Sequence, residues 1–391
     1  MTAKVLYLDH NATTPVAPEV LAQMLPWFTS NFGNASSKTH AYGWEAAHAV
    51  KKARQQLAEL IQAEPEQLTF TSGATEALNM VIRGLAESWQ HKKNHLICWE
   101  TEHKAVLDPL KRLEKQGFSL TYLPVQRHGL PDIEQFNAAL RPETLLVCGM
   151  LANNESGVIF PIQELVTRCH AAGAWFCCDA TQAVGKIDVA VHSLGVDFLV
   201  GSAHKLYGPK GVGFLYQKPL KHGPKLQPLL LGGGHENGLR SGTLNVPGIV
   251  GLGAAAILAK SVLAEEIDRQ RNLCLLLEKT LTEKLPDIRV LGAEVARLPN
   301  TTLLHLAHVA AADLIKNLRN YALATGSACS SAEATPSHVL LAMGLSESEA
   351  GCCLRISIGR ETQADELLIF CRELVAAATR IREVSPAWKY R

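Results

Sequence analysis

Between residues 68 and 216 short apolar runs alternate with stretches in which apolar residues recur at helical spacing. Strands are predicted at 68–70, 95–98, 119–122, 145–148, 175–178, 198–200 and 213–216, with helices at 76–88, 104–116, 133–140 and 162–172 between them. Short strands alternating with helices form a mostly parallel sheet covered on both faces. The segment 18–62 is largely helical in pattern and precedes the sheet. A Gly- and Pro-rich stretch, 220–242, ends the alternation, and a long helical pattern follows over 249–284. Beyond it lie strand patterns at 302–306 and 354–358 and helical patterns at 311–318, 337–342 and 365–382. The fold class expected is α/β, with a large domain (1–255) on a mostly parallel seven-stranded sheet and a smaller α+β domain (256–391). The first 17 residues are expected as an arm packing on the smaller domain.

Composition changes this picture little. Apolar residues make up 47% of the 391 and charged residues 19%, enough for two cores. A net charge of +1 gives no basis for a nucleic-acid partner, since phosphate binding needs concentrated Lys and Arg. Asp9 and His10 interrupt any N-terminal apolar stretch, and no apolar run is expected to cross a bilayer, so a cytoplasmic protein is expected. Cys98, Cys148, Cys177 and Cys178 fall in strand-like runs, where a thiol behaves as a small buried hydrophobe. No cysteine spacing suits zinc, and no resident metal is expected.

In an open α/β sheet ligands bind beyond the carboxyl ends of the strands. Each of those ends is followed here by polar residues: Thr71-Ser-Gly-Ala-Thr75-Glu76, Glu100-Thr-Glu-His103, Asn153-Asn154-Glu155, Asp179-Ala-Thr-Gln182 and Ser202-Ala-His204-Lys205. Residues 72–75 offer backbone N–H groups and a hydroxyl at a helix start, which suits a phosphate, although a plain helix cap accounts for Thr75 equally well. Asp179 at the end of an apolar strand needs a partner such as a protonated ring nitrogen, or else caps a turn. Lys205, directly after another apolar strand, is placed to form a Schiff base with an aldehyde. Phosphate cradle, ring-nitrogen carboxylate and aldehyde-binding amine together describe pyridoxal phosphate.

With these blocks in family order, the whole chain resembles the cysteine desulfurases of the NifS/IscS type, within the fold-type-I pyridoxal-phosphate enzymes. The resemblance is carried by Tyr7-Leu-Asp9-His-Asn11-Ala-Thr-Thr14, Phe70–Glu76, Thr101-Glu-His103, Asn153-Asn-Glu-Ser-Gly157, Asp179–Gln182, His204-Lys205-Leu-Tyr-Gly-Pro-Lys-Gly211, Arg240-Ser-Gly-Thr243, Gly326-Ser-Ala-Cys329 and Leu354-Arg355. It implies an enzyme that takes sulfur from L-cysteine, leaving L-alanine and a persulfide on Cys329, which the loop 325–335 presents. Lys205 would bind the cofactor aldehyde and move the substrate Cα proton, Asp179 would keep the ring nitrogen protonated, and His103 would stack on the ring and serve in proton transfer. Gln182 and Asn154 would contact the phenolic oxygen side. Ala74, Thr75, Ser202 and His204 would hold the phosphate, joined by Thr243 from a second subunit of a homodimer. Arg355, assisted by Asn34, would hold the substrate carboxylate.

The implied acceptor of the sulfur is a protein such as an iron–sulfur scaffold, on which Cys329 would transiently ligate a cluster. Two residues depart from the family pattern: Ala203 stands where relatives have glycine, crowding the phosphate, and Asn34-Ala35 replaces Asn-Pro. The sequence ends at Arg391 without the tail by which housekeeping relatives dock their scaffold, so the acceptor is left open. Selenocysteine lyase, another carbon–sulfur lyase and an aminotransferase are the alternatives; an aminotransferase has no use for a nucleophilic thiol at Cys329, and the preference between cysteine and selenocysteine is left open.

Overall fold

The computed structural model describes residues 5–89, 91–219, 225–325, 336–384 and 388. The N-terminal segment holds the short strand β1 (Leu6–Tyr7) and helices α1 (Pro18–Met24) and α2 (Ala41–Ile61). Next come β2 (Leu68–Thr71), α3 (Ala74–Trp89), β3 (His95–Trp99), α4 (Lys104–Glu114), β4 (Ser119–Leu123), α5 (Ile133–Ala139) and β5 (Thr144–Met150). They are followed by α6 (Ile162–Ala171), β6 (Trp175–Asp179), α7 (Val191–Leu194), β7 (Phe198–Ser202) and β8 (Gly213–Gln217). Strands β2 to β8 form one seven-stranded sheet in the order β2-β8-β7-β6-β5-β3-β4, in which β8 alone runs against its neighbours. Each strand predicted in this region lies in the sheet.

Strand β5 is buried along its whole length, as expected of a parallel strand covered on both faces. Its neighbours show the two-residue pleat: Leu96, Cys98 and Cys148 face α3 and α4, while Ile97, Trp99 and Val147 face the opposite core, which α1, α2 and α6 help to cover. The strand cysteines are buried, and burial pushes the Cys98, Cys148 and Cys178 thiols well up; for Cys148 the hydrogen bond with Cys177 is the larger cause.

Helix α8 (Val246–Lys284) then runs from the large sheet into the smaller unit. At about 1.5 Å per residue it reaches nearly 60 Å, and the expected domain boundary at 255 falls inside it. Gly253 permits a close crossing: a Cβ there would sit 2.7 Å from the Ala53 Cα of α2. Contrary to the expectation that no run suits a bilayer, α8 is long and apolar enough by length and composition to cross one. Half of that apolar stretch is buried inside the protein, with Leu252, Ala255, Ala256 and Ala259 in the core shared with α2. Core helices and membrane helices share this composition because each is surrounded by apolar atoms.

The smaller unit comprises β9 (Ile288–Val290), β10 (Thr301–Leu306), α9 (Ala311–Asn317), β11 (Tyr321–Ala322), β12 (Ala324–Thr325), α10 (His338–Ala342), α11 (Glu347–Ala350), β13 (Cys353–Ser357) and α12 (Ala364–Val384). Its sheet has the order β12-β13-β10-β9 and packs on Leu273, Leu277 and Leu281 of α8 and on Phe370 and Leu374 of α12. The described part of the N-terminal arm docks here: β1 pairs in parallel with β11, and Ser357 N donates to Leu8 O at 2.9 Å. The three-residue β9 and the two-residue β11 and β12 are too short to carry a periodic pattern in sequence.

Candidate active site

The carboxyl ends of β2, β3, β5, β6 and β7 open on one side of the large sheet, around a cavity of about 600 Å³. Its lining includes Ala74, Thr75, His103, Asn154, Asp179, Gln182, Ser202, His204, Lys205 and Arg355. Strand β6 delivers Asp179, whose Oδ1 accepts from Thr181 N at 2.9 Å. Strand β7 ends at Ser202 and turns through Ala203–Lys205. Residues 11–14 of the arm are anchored beneath this turn: Thr14 N and Oγ1 both donate to His204 O, at 2.9 and 3.0 Å. Lys205 Nζ donates to the Asn11 and Ala12 carbonyls at 2.5 and 2.8 Å, which holds the amine inside the cavity.

At the start of α3 the Glu76 carboxylate accepts from Ser72 N at 2.6 Å and from Arg240 Nε at 2.8 Å. Burial alone would raise the Glu76 pKa, but the hydrogen bonds from Arg240 and Ser72 outweigh it and hold it below the ordinary value. The turn that follows β2 is thereby fixed with Ala74 and Thr75 facing the cavity. Ala203 does not crowd that space. It is fully buried and its methyl packs toward Gly208, where a Cβ would approach it to 2.8 Å. His204 Nδ1 lies 3.1 Å from Thr13 Oγ1, and burial, with help from Lys205, lowers its pKa to about 4, so its ring is neutral at neutral pH.

Beyond β5 the Asn153 side chain builds a compact turn, its Oδ1 accepting from Glu155 N and Ser156 N at 2.9 Å each. Gly157 closes the turn at φ +76, and a Cβ there would meet Thr301 at 2.9 Å, so glycine is required twice over. Asn154 is left facing the cavity. Arg355, in the middle of β13, is 2% exposed; Nη1 donates to Asn154 O at 3.0 Å and Nη2 to Asp9 Oδ1 at 2.6 Å. His103 caps α4, its Nδ1 accepting from Ala105 N at 3.1 Å, which places the ring proton on Nε2.

Two buried carboxyl groups and one half-buried lysine around this cavity carried no assigned role in the sequence. Lys186 donates to Gln182 Oε1 at 2.7 Å and Asn11 Oδ1 at 3.0 Å, and burial followed by the charges of Lys205 and Arg355 drives its pKa well down. Glu155 is pushed up to about 7 by burial. Glu102 is fully buried and its pKa lies well above the carboxylate range, burial being the main cause. Glu102 and Glu155 belong to the quoted blocks, but only tertiary contacts reveal their burial. Thr181 lines the cavity as well, one residue before Gln182.

Among the predicted site residues, Asn34 and Thr243 do not line the cavity. Asn34 is exposed and its Oδ1 accepts from Ser36 N at 2.9 Å; Thr243 is exposed on the loop that leads into α8. Cys329 and the segment 326–335 lie outside the described residues. The cavity fits pyridoxal phosphate on its own terms. It combines an amine for the aldehyde, a carboxylate for the ring nitrogen and a helix start for the phosphate, and two buried polar atoms on its lining residues, Thr181 Oγ1 and Arg355 Nε, have no hydrogen-bond partner among the described residues.

The aminotransferase class-V family model matches residues 6–370. The cysteine desulfurase IscS of Anaeromyxobacter dehalogenans is 45% identical over 384 residues, covering 98% of this chain and 95% of that protein. The human cysteine desulfurase is 43% identical over 386 residues, covering 98% and 84%. Among solved structures, a NifS-like protein superposes with a TM-score of 0.89 at 33% identity, over 96% of this chain and all of that one. SspA in complex with cysteine superposes with a TM-score of 0.81 at 37% identity, over 90% and 98%.

Proposed function

The chain belongs to the aminotransferase class-V family and within it is a cysteine desulfurase; from that premise we propose that it works with pyridoxal phosphate bound at Lys205 and receives the sulfur of L-cysteine on Cys329. The reaction converts L-cysteine and a protein thiol into L-alanine and a protein persulfide. A sulfur–sulfur bond forms, the Cβ–S bond breaks, and its electron pair stays with the carbon fragment, which takes up a proton. No external oxidant is needed. The bound cofactor supplies an electron sink that weakens the bonds at the substrate Cα and Cβ.

The chain's own residues do the rest. Lys205 binds the aldehyde and then moves the Cα proton with its Nζ. Asp179 keeps the ring nitrogen protonated by presenting a carboxylate at the end of a buried strand. His103, with its ring proton on Nε2, stands at the cavity as a proton donor. Arg355 holds the substrate carboxylate; its buried Nε, which has no hydrogen-bond partner among the described residues, is the donor available for it. Ser202, His204, Thr75 and the Ala74 backbone N–H hold the phosphate, with neutral His204 acting as a hydrogen-bond donor rather than a cation.

The single observation that carries this reading is the arrival of Lys205, Asp179, His103 and Arg355 at one cavity from four separate parts of the chain. Exposure of Thr243, away from its own cavity, supports a homodimer in which it reaches the partner's phosphate site. The IscS relatives support an iron–sulfur scaffold as acceptor.

Incubation with L-cysteine followed by mass spectrometry tests the proposal. Cys329 gains one sulfur atom in the native protein, and Cys329→Ser gains none while keeping the yellow colour of the bound cofactor. Normal release of sulfur by Cys329→Ser would overturn the assignment of that thiol. A colourless protein indifferent to added pyridoxal phosphate would overturn the cofactor.

A further inference from the structure

Glu102 and Glu155 each lie one residue from a group that lines the cavity, His103 and Asn154, yet neither lines the cavity itself. Both are buried behind it, at 0% and 4% exposure. They share a neighbour, the first turn of α10. Ser337 Oγ donates to Glu155 Oε2 at 2.5 Å, and His338 Nε2 lies 3.0 Å from the Glu102 carbonyl. Ser337 is itself buried, and its oxygen accepts from Leu340 N at 3.3 Å to cap the helix, which commits its one proton to Glu155. Two turns that aim residues into the cavity on one side therefore hold α10 on the other.

That attachment matters because of what precedes it in the chain. Ser337 is the next hydrogen-bonding side chain described after the segment 326–335, which contains Cys329. A thiol that must meet a sulfur atom inside the cavity needs its segment joined to the wall at a fixed point, since misplacement by about 1 Å costs up to about a hundredfold in rate. The groups facing Glu155 are Arg355 and Cys353 on β13, His103 at the cap of α4 and Ser337 on α10. The bond thus sits between the residues read here as substrate and ring contacts and the chain that leads to Cys329.

We propose that the Ser337–Glu155 hydrogen bond positions the segment bearing Cys329 for the sulfur-transfer step, with Glu155 as the positioning residue. The proposal rests on the desulfurase reading only for the role of Cys329.

Single-turnover persulfide formation on Cys329 tests it in the full chain with cofactor bound. Ser337→Gly keeps a tolerated helix cap but loses the hydroxyl, and Glu155→Leu keeps the volume but loses the acceptor. Each slows transfer about tenfold, leaves the KM for cysteine and cofactor retention within about twofold, and the double variant is no slower than either single one, because both remove the same bond. Ser337→Thr restores transfer. In the cofactor-free protein, the alkylation rate of Cys329 changes about threefold or more in Ser337→Gly and Glu155→Leu but not in Ser337→Thr. The nine other cysteines are buried or half-buried and stay out of that measurement.

Additive losses in the double variant, a parallel loss of cysteine and cofactor binding, or unchanged transfer and alkylation would each overturn the proposal. If Ser337→Gly unfolds, Glu155→Leu with Ser337→Thr decides alone. Failure of the desulfurase reading looks different: the native protein itself then forms no persulfide, while alkylation still reports on the bond.

Discussion

Arg355 Nη2 donates to Asp9 Oδ1 at 2.6 Å, joining the central strand position of the smaller unit to the N-terminal arm beneath the cavity. The two side chains are 2% and 18% exposed, so the guanidinium is neutralised by the protein before any substrate carboxylate arrives. A substrate bound there adds to an existing pair and does not have to bring the first counter-charge. The arm, often the most dispensable part of a chain, is here part of the site.

Asp9→Ala leaves a buried guanidinium uncompensated, which costs on the order of 2 kcal/mol after allowing for the partial exposure of Asp9. Urea unfolding reports that loss. Steady-state kinetics report a higher KM for cysteine with a smaller change in kcat, because the residue aimed at the substrate has lost its orientation. Asp9→Asn keeps one hydrogen bond and falls between the two.

Lys186→Met tests the half-buried lysine that secures Gln182 and Asn11. The substitution preserves length but leaves Gln182 Oε1 without this donor and Asn11 Oδ1 with Asn300 Nδ2 alone, at about 1–3 kcal/mol. Because Asn11 O also accepts from Lys205, the Schiff-base absorbance shifts or weakens, read by titrating the variant with pyridoxal phosphate. An unaltered spectrum and unaltered stability would remove Lys186 from the site.

Arg240→Ala releases Glu76 from the turn that begins α3. A carboxylate no longer paired beside a phosphate repels it, so cofactor affinity drops about tenfold, measured by equilibrium titration of the cofactor-free protein. Arg240→Ala combined with Glu76→Gln recovers most of the loss.

Acid pH provides a signed test. Burial holds His10, His95 and His204 at about 4, below the ordinary 6.5, so between these values the unfolded chain binds protons that the folded chain refuses. Their contribution is complete above pH 6.5 and is lost as pH falls through 4. Glu155 has the opposite sign: held near 7 against an ordinary 4.5, it contributes fully below pH 4.5 and its contribution disappears as pH rises through 7. Three histidines outweigh it, so stability falls from pH 6.5 toward 4.5. Glu155→Gln removes the opposing group and steepens that fall by up to about 1.4 kcal/mol per pH unit; an unchanged slope would show that Glu155 ionises normally.

The sheet and the cavity residues on it were legible in sequence for one reason. In a parallel α/β sheet every strand is a short apolar run, and the residue after it is delivered to a common edge whatever the rest of the fold does. Asp179 after β6 and Lys205 after β7 follow directly. The expected crowding by Ala203 did not follow, because the direction of one methyl is set by the 3-10 turn and by Gly208, which lies beyond any local pattern. The apolar α8 escaped notice as a bilayer-length helix because its three glycines and five alanines lower its apparent hydrophobicity without lowering its capacity to pack.

By itself the sequence determined which groups are on offer: the Lys205 amine, the Asp179 carboxylate, the His103 ring and the Cys329 thiol in fixed motifs, with strand and helix periods that bring the first three to one edge. The tertiary structure alone decided what holds them. Asp9 beside Arg355, Lys186 against Asn11 and Ser337 against Glu155 pair residues separated by 175 to 346 positions. Such partners have no local signature, because burial and charge compensation are properties of the space that folded elements enclose together.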